Sequence, residues 1–467
     1  MGSGPSQFSK FQKKMEEHEL PRMVIDVFRG YFEQLVSGAK GKLCESDISP
    51  VSEDEFKDLA ELEKFAPAGR AALDKVAVIK LNGGLGTSMG MEKAKSLLPV
   101  KQGLTFLDII IRQVERLREK SGKPVPLVLM NSFRTHKDTM ECVRGFDNKA
   151  AGLPLTFLQH KYPKVLQSDL SPATRPDNPE LEWNPPGHGD LYAALASSGL
   201  LQKMLDQGFE YAFVSNSDNL GAVLDEGILG FCMEKKPPFV MEVAKRTAAD
   251  KKGGHLARLK DGRLTLREVA QCPDEEIDAF QDIERYRFFN TNSLWVNLKA
   301  LDQAGVLHLD MIINPKTLDP RDSDSPPVYQ VESAMGSAIS AFEGATAVKV
   351  PRTRFAPVKK CDDLLAVMSD CFVLTPDFEV IPNPERSLEP INIQLDSKYY
   401  KKIDDFLARF ERHLPSLANC ASLTVEGDVL FQEVVELIGD VVIRNRAKEQ
   451  AVLTRETLNA LMEGPGG

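Results

Sequence analysis

From about residue 75, the chain alternates short apolar runs with helical patterns, and this alternation limits the folds open to it more than any other feature. The apolar runs are residues 76–79, 127–130, 211–214 and 239–241, and a helical pattern spans 106–117. Such alternation predicts an α/β fold with a mostly parallel sheet covered by helices. Ligands of such sheets bind at the carboxyl ends of the strands. The residues that follow each run are therefore the candidates for a ligand site.

The first 65 residues have a different pattern, with apolar residues at three- and four-residue spacing. This spacing predicts helices over residues 7–65, and Ser52 and Glu55 form a capping box. The apolar stripe that would pack on the main domain consists of Leu20, Met23, Val24, Val27, Phe28, Tyr31, Phe32 and Leu35.

Composition excludes several classes of protein. The chain has 467 residues, enough for two or three domains, and its net charge of −10 argues against nucleic-acid binding. No apolar run is long enough to span a membrane, and no secretory signal begins the chain. The seven cysteines are scattered without a CxxC pair, which favours reduced thiols and a cytoplasmic location. Gly2 fits a loose myristoylation pattern, but a disordered tip explains the same residues.

A short repeat lies near the C-terminus. The sequence GDVLF at residues 427–431 is echoed twelve residues later by GDVVI at 439–443. Twelve residues are two hexapeptides, so the repeat suggests a short β-helix, with a plain hairpin as the alternative. Residues 447–462 have a helical pattern instead.

A glycine-rich loop, LNGGLGTSMG at residues 81–90, directly follows the first apolar run. Glycines let backbone N–H groups turn toward phosphate without a Cβ in the way. The dinucleotide fingerprint fails because Met89 stands where its third glycine belongs, and the P-loop fails because Met89 and Ala94 replace its two glycines. The loop is therefore either a different nucleotide-binding loop or a tight turn.

The loop and Lys95-Ser96-Leu97 resemble the signature of eukaryotic UDP-glucose pyrophosphorylases (UTP–glucose-1-phosphate uridylyltransferases). Further segments resemble the family in the same order, together covering roughly residues 75–375. These segments are LVLMNSF at 127–133, PPGHGD at 185–190, SNSDNLG at 215–221, FVMEV at 239–243, FNTNSLW at 289–295 and RFAPVK at 354–359.

The resemblance implies a Rossmann-like nucleotidyltransferase domain of the glycosyltransferase-A type over residues 71–385. A helical segment at 1–70 precedes it, and a short left-handed β-helix at 386–467 follows. The implied substrates are UTP and glucose 1-phosphate, and the products are UDP-glucose and pyrophosphate. Two anions must meet in this reaction, so the protein mainly has to neutralise charge and hold an in-line geometry.

The resemblance assigns three catalytic residues. Lys95 contacts the triphosphate, and Lys359 reaches the reacting phosphates from the other side. Its neighbour Lys360 is the competitor, but the register of the motif favours Lys359. Asp218 holds Mg²⁺, which prefers oxygen ligands. This chain has Ala94 where the family usually has proline before the lysine. The replacement puts the rigidity of the loop in doubt, but it leaves the positive charge of Lys95 unchanged.

The resemblance also assigns the residues that bind each substrate. The nucleotide would contact Leu81, Asn82, Gly83, Gly84, Lys95, Gln159, Gly187 and Asn216, with Gln159 reading uracil. The sugar phosphate would contact His188, Gly254, Asn290, Asn292 and Glu332. His188 is not expected to be a general base or a metal ligand, because no second histidine or cysteine lies at ligand spacing.

Two alternatives stay open. A relative with broader sugar specificity generally carries GTR in the glycine loop, whereas this chain has Thr87-Ser88 after Gly86, which favours glucose. A protein that binds nucleotide sugars without catalysis would not need Lys95, Asp218 and Lys359 together. The short C-terminal repeat also predicts a monomer, because relatives that assemble do so through the β-helix.

Overall fold

The computed structural model describes residues 4–38, 41–148, 151–410 and 412–462, so Gly2 lies outside the described part. The α-helices are α1 (Gly4–Glu17), α2 (Arg22–Val36), α3 (Leu59–Leu62), α4 (Ala66–Ala71), α5 (Phe106–Ser121), α6 (His136–Cys142), α7 (Leu191–Ser197), α8 (Leu200–Asp206), α9 (Glu226–Lys235), α10 (Ile277–Gln281), α11 (Leu298–Ala304), α12 (Cys361–Met368), α13 (Ser397–Tyr400), α14 (Ile403–Phe410) and α15 (Leu458–Leu461).

The strands are β1 (Ile48–Pro50), β2 (Lys57–Asp58), β3 (Val76–Asn82), β4 (Pro99–Lys101), β5 (Leu104–Thr105), β6 (Leu127–Asn131), β7 (Thr156–Leu158), β8 (Tyr162–Pro163), β9 (Val165–Leu166), β10 (Trp183–Asn184), β11 (Tyr211–Asn216), β12 (Phe239–Lys245), β13 (His255–Leu259), β14 (Leu264–Arg267), β15 (Phe288–Asn297), β16 (Met311–Thr317), β17 (Pro327–Ser333), β18 (Thr346–Lys349), β19 (Phe372–Leu374), β20 (Val380–Pro382), β21 (Asn392–Leu395), β22 (Cys420–Glu426), β23 (Val429–Phe431), β24 (Gly439–Arg444) and β25 (Ala451–Leu453).

A large sheet forms the centre of the molecule, in the order β2-β18-β12-β15-β11-β3-β6-β7. Along this order the pairs are parallel except at β15, which runs antiparallel between β12 and β11. Strands β1, β13 and β14 extend the same sheet through antiparallel pairs. The four apolar runs predicted as strands are β3, β6, β11 and β12. Every residue of β3 is buried, because the sheet has apolar layers on both faces. The predicted α/β architecture is thus confirmed, as is α5 over the predicted helix.

The N-terminal helices pack on the small sheet of β8 and β10 through an aromatic cluster. Phe11 is fully buried, with its ring centroid 5.5 Å from that of Phe28 and 4.8 Å from that of Phe32. Phe28 in turn contacts Tyr162, with 5.0 Å between the ring centroids. From Val24 to Leu35, the apolar stripe predicted for this segment is therefore the buried face of α2. Leu20 precedes the helix, and both Leu20 and Met23 are only half-buried.

The helical prediction for residues 7–65 is wrong between α2 and α3, where the described residues form loops, two 3-10 turns and the strands β1 and β2. Strand β1 pairs with β13, and β2 pairs with β18 at an end of the sheet. Main-chain hydrogen bonding to an available strand decides the conformation there, and a spacing pattern does not reveal it. The predicted capping box at Ser52 and Glu55 is present between these strands.

The C-terminal residues form small parallel sheets. Strands β21, β22 and β24 pair in that order, and β23 pairs with β25. The two copies of the GDV repeat therefore lie in different sheets, which is incompatible with the hairpin alternative. The helical prediction for 447–462 is wrong at β25, because its backbone extends the parallel pairing begun by β23. Only the four residues of α15 are helical there.

Two expectations about the whole chain are checked by the fold. All seven cysteines are free thiols, as their scattered positions predicted. Within the described ranges, no helix combines the length and the apolar character that crossing a bilayer requires.

Candidate active site

Most of the predicted site residues lie at one edge of the central sheet. Asn82 ends β3, Asn216 ends β11, and Gln159 follows β7, so the parallel strands bring them to the same edge. Because β15 runs in the opposite direction, Asn290 and Asn292 near its start reach this edge too. The sheet thus gathers residues that are more than 200 positions apart in the chain.

The glycine loop is fixed from behind by Asn82. Its buried side-chain amide donates to Oδ1 of Asn131 at 2.7 Å and to Oγ1 of Thr139 at 2.9 Å. The side chain of Asn82 is therefore committed to the protein, and its part in nucleotide binding falls to the backbone. The loop closes where the backbone N–H of Lys95 donates to the carbonyl of Gly84 at 3.0 Å.

Lys95 and Asp218 form an ion pair at this edge. The Nζ of Lys95 donates to Oδ2 of Asp218 at 2.6 Å, and the two side chains are 14% and 22% exposed. A cation and a carboxylate are thus held together where the loop after β3 meets the loop after β11. In the described ranges, no three His, Cys, Asp or Glu side chains form a metal cluster. Asp218 is therefore not part of such a cluster, and a Mg²⁺ ion held there would also depend on oxygens of water and phosphate.

Lys359 approaches from the C-terminal side. Its carbonyl accepts a hydrogen bond from Oγ of Ser88 at 3.2 Å, so its backbone contacts the glycine loop. Its exposed side chain lies close enough to Glu268 to oppose the rise that burial causes in the pKa of that carboxyl. Lys360 instead forms an ion pair with Asp362 at 3.4 Å. These contacts favour Lys359 over Lys360 as the lysine that faces the site.

Gly187 and His188 lie against β17. Gly187 has φ +78°, and a Cβ there would meet the carbonyl oxygen of Ser333 at 2.4 Å and the Cβ of Glu332 at 3.2 Å. Nδ1 of His188 accepts the N–H of Met335 at 2.9 Å, so the proton of the neutral ring is on Nε2. Burial lowers the pKa of His188 to about 4. The ring is thus a neutral donor at pH 7.

Gln159 lies beside the glycine loop. A Cβ on Gly83 would be 3.0 Å from its Oε1. The next residue, His160, bonds to the buried carboxylate of Asp190 at 2.9 Å and to Oγ of Ser197 at 3.0 Å. This chain of bonds ties the end of β7 to α7 and fixes the backbone that carries Gln159.

A cavity of about 810 Å³ opens beside Gln159. Its lining also includes Phe133, Phe157 and Trp183, but none of Lys95, Asp218 and Lys359 lines it. The cavity therefore adjoins the predicted uracil side of the site, and the side chains of Lys95, Asp218 and Lys359 lie outside it.

The predicted sugar residues form a second group at the same edge. Nδ2 of Asn290 donates to Oδ1 of Asn292 at 2.8 Å, and the N–H of Asn290 donates to the carbonyl of Gly254 at 3.3 Å. A Cβ on Gly254 would lie 2.5 Å from Oε2 of Glu268. Glu332 is not part of this group and lies beside Gly187. Glu268 was missed from the sequence, because it follows an ordinary strand and carries no motif.

Known proteins share this chain's sequence and fold. Residues 25–438 match the family model described as UTP–glucose-1-phosphate uridylyltransferase. The barley (Hordeum vulgare) enzyme of that name is 44% identical over 415 residues, covering 86% of each chain. The yeast (Saccharomyces cerevisiae) enzyme is 43% identical, covering 82% of this chain and 76% of its own.

Solved structures give the same result. A Leishmania major UDP-glucose pyrophosphorylase in complex with UDP-glucose is 40% identical, with a TM-score of 0.88 over 96% of this chain and 97% of its own. The Trypanosoma brucei UDP-glucose phosphorylase structure is 42% identical, with a TM-score of 0.86 over 96% of this chain and 97% of its own. The chain therefore belongs to the UTP–glucose-1-phosphate uridylyltransferase family.

Proposed function

We propose that this chain transfers the uridylyl group of UTP to glucose 1-phosphate and releases pyrophosphate, in a reversible reaction. Beyond family membership, the ion pair between Lys95 and Asp218 carries the proposal. The pair puts a cation and a carboxylate that could ligate a metal ion at the end of a glycine loop. This is the edge of the sheet where ligands of α/β proteins bind.

In the proposed reaction, a phosphate oxygen of glucose 1-phosphate attacks the α-phosphorus of UTP in line with the leaving pyrophosphate. Lys95 neutralises charge on the triphosphate, and Lys359 neutralises charge on the reacting phosphates. The site needs no general base, since the attacking phosphate is already an anion. The neutral ring of His188 is suited to donating a hydrogen bond from Nε2 to the sugar phosphate.

The nucleotide and the sugar have separate contacts in this proposal. The amide of Gln159 can pair with both a donor and an acceptor of uracil, and the backbone of Gly187 contacts the base. Asn216 and the backbone of 81–84 contact the rest of the nucleotide. Asn290, Asn292, Gly254 and Glu332 serve the sugar side.

Mg²⁺ is the proposed cofactor, with Asp218 as its protein ligand. A single carboxylate fits a hard cation that takes its other ligands from water and phosphate. When bound, the ion supplies charge neutralisation on the phosphates. The carboxylate of Asp218 accepts a hydrogen bond from Lys95, so the positive charge of the lysine balances the charge of this carboxylate.

We extend the proposal to the organisation of the chain. Residues 1–70 are an N-terminal segment that includes helices α1 to α3 and strands β1 and β2, 71–385 a Rossmann-like catalytic domain of the glycosyltransferase-A type, and 386–467 a region with a left-handed β-helix. The parallel pairing of β21, β22 and β24 supports the last assignment. The short C-terminal repeat supports a monomer, and seven free thiols support a cytoplasmic location.

The test is pyrophosphate release at fixed UTP and Mg²⁺, with glucose 1-phosphate, galactose 1-phosphate and N-acetylglucosamine 1-phosphate compared at equal concentration. We expect a strong preference for glucose 1-phosphate, loss of activity on chelation and recovery on adding excess Mg²⁺. Comparable rates on several sugars would reassign the chain to the broad-specificity relatives. No turnover on any of them would leave it as a nucleotide-sugar-binding protein.

A further inference from the structure

We propose that Asn219 is a positioning residue that sets the place of Lys359 relative to Asp218. The inference rests on the proposed function, because it assumes that both of these residues act on the phosphates. Asn219 itself is buried, with 2% of its surface exposed, and the reaction proposed above gives it no role.

The side chain of Asn219 clamps the segment that leads to Lys359. Its Nδ2 donates to the carbonyl of Arg354 at 3.0 Å, and its Oδ1 accepts from the N–H of Ala356 at 3.0 Å. The backbones of Asn219 and Pro357 also form a β-bridge. One side chain thus pairs with a backbone acceptor and a backbone donor of the same segment, residues 354–356. This pairing fixes how far that segment lies from Asn219 and in which register.

The clamp lies directly beside the two catalytic positions. Asp218 is the neighbour of Asn219 in the chain, and its carbonyl accepts from the N–H of Val358 at 3.3 Å. Lys359 is the next residue after Val358. The backbones of the two charged residues are therefore joined by a few hydrogen bonds, although 141 positions separate them in the sequence.

The far end of the clamped segment is anchored in the core. The buried guanidinium of Arg354 donates to both carboxylate oxygens of Glu242, at 2.7 and 2.8 Å, and to the carbonyl of Val223 at 2.8 Å. The same carboxylate accepts from Nε1 of Trp295 at 3.0 Å. Because Glu242 is on β12 and Trp295 on β15, the segment is fixed to the sheet at one end and to the Asp218 loop along its length.

The chemistry of this contact requires an amide. Asparagine both donates and accepts, whereas a carboxylate only accepts and an apolar side chain does neither. Asn219→Asp would keep the bond from Ala356 and lose the bond to Arg354. A displacement of about 1 Å at a reacting group can cost about 10²-fold in rate, so a loosened segment should slow turnover.

The test is a double-mutant cycle with Asn219→Ala and Lys359→Ala, measuring kcat, KM for UTP and thermal stability. If Asn219 acts through Lys359, Asn219→Ala lowers kcat about 10- to 100-fold in the wild-type background and less than about 3-fold when Lys359 is already alanine. A purely structural residue would lower the melting temperature without this dependence on Lys359. Asn219→Asp should lie between wild type and Asn219→Ala, and it replaces Asn219→Ala in the cycle should that variant not fold.

Asn148 provides the matched control. It is likewise buried, at 5% exposure, and its amide pairs with the backbone of Leu127 away from the site. We expect Asn148→Ala to lower stability and leave kcat within about 3-fold of wild type in both backgrounds. Equal losses from Asn219→Ala with and without Lys359 would overturn the positioning role alone. An unchanged kcat in Lys359→Ala would instead remove the proposed role of Lys359, and the inference with it.

Discussion

At the scale of single residues, adjacent lysines take different partners. Lys359 faces Glu268 and contacts the glycine loop through its backbone, whereas Lys360 pairs with Asp362. Because the two lysines are adjacent in the chain, variants of them compare the effect of a positive charge at the proposed site with that of a positive charge on the surface.

We expect Lys359→Ala to lower kcat about 10²- to 10³-fold, because one preorganised cation on the reacting phosphates would be lost. Lys360→Ala should stay within about 3-fold of wild type, since an exposed ion pair contributes little. Steady-state assays in both directions of the reaction measure this difference. A larger loss in Lys360→Ala than in Lys359→Ala would reverse the assignment.

Gly187 is expected to tolerate no side chain. Gly187→Ala would place an L-residue at φ +78° and its Cβ 2.4 Å from the carbonyl oxygen of Ser333. Gly199 has a similar φ of +72° with open space around it, so Gly199→Ala carries only the backbone cost of about 1–2 kcal/mol. Denaturant unfolding should show the larger loss of unfolding free energy in Gly187→Ala, together with weaker UTP binding. Equal losses would mean that Ser333 moves away freely.

Sequence motifs were enough to single out Lys95 and Asp218, which form an ion pair in the structure, because both follow buried strands in recognisable segments. Glu268 could not be found that way, since only the fold brings it to Gly254. Asn219 is inside a motif, but its partners lie 135 and 137 positions away. Contacts of this kind are set by tertiary packing and leave no local signal.

At the scale of elements, β13 carries a histidine whose ring has no polar side-chain partner among the residues described. His255 is fully buried and stacks on Tyr286, with 3.8 Å between the ring centroids. Burial, and secondarily the charges of Arg246 and Arg267, lower the pKa of His255 to about 2. The neutral ring therefore behaves as an aromatic core residue that becomes costly to keep as the solution turns acidic.

This predicts an acid-dependent loss of stability that His255→Phe removes. The folded pKa is below the unfolded value of 6.5, so the unfolded chain binds the extra proton, and the free energy of unfolding falls as the pH drops below about 6.5. Between pH 7.5 and 4.5 the contribution is about 2–3 kcal/mol. Urea unfolding at the two pH values should show a smaller difference in His255→Phe than in wild type.

His308, which is exposed, supplies the control for that measurement. We expect His308→Phe to keep the wild-type difference between the two pH values. A full wild-type difference in His255→Phe as well would show that other groups cause the acid sensitivity.

Element type could be predicted wherever apolar periodicity was strong, as in β3, β6, β11 and α5. The placement of β15 could not, because an antiparallel strand between two parallel ones has the same apolar character as its neighbours. The short strands β1, β2 and β25 escaped prediction since they form by pairing with an edge already present.

At the scale of the whole molecule, we expect a monomer. The expectation rests on the small size of the parallel sheets in the described C-terminal residues, where β25 is the last strand and the four-residue α15 follows it. Native mass spectrometry at micromolar concentration should give a single species near the chain mass of 51.8 kDa. A dominant octamer would contradict this expectation.

The proposed site draws on the chain from Leu81 to Lys359, and the central sheet brings most of these segments together, with Glu332 contributed by β17 of a smaller sheet. No fragment that ends before Asp218 or begins after Lys95 can therefore contain both members of the ion pair. A nucleotide that binds there stabilises the folded sheet as a whole. At a concentration of 100 times its Kd, it raises the free energy of unfolding by about 2.7 kcal/mol. Abundance in a cell should then follow the supply of substrate, because a scarcity of nucleotide exposes every copy to proteolysis more often.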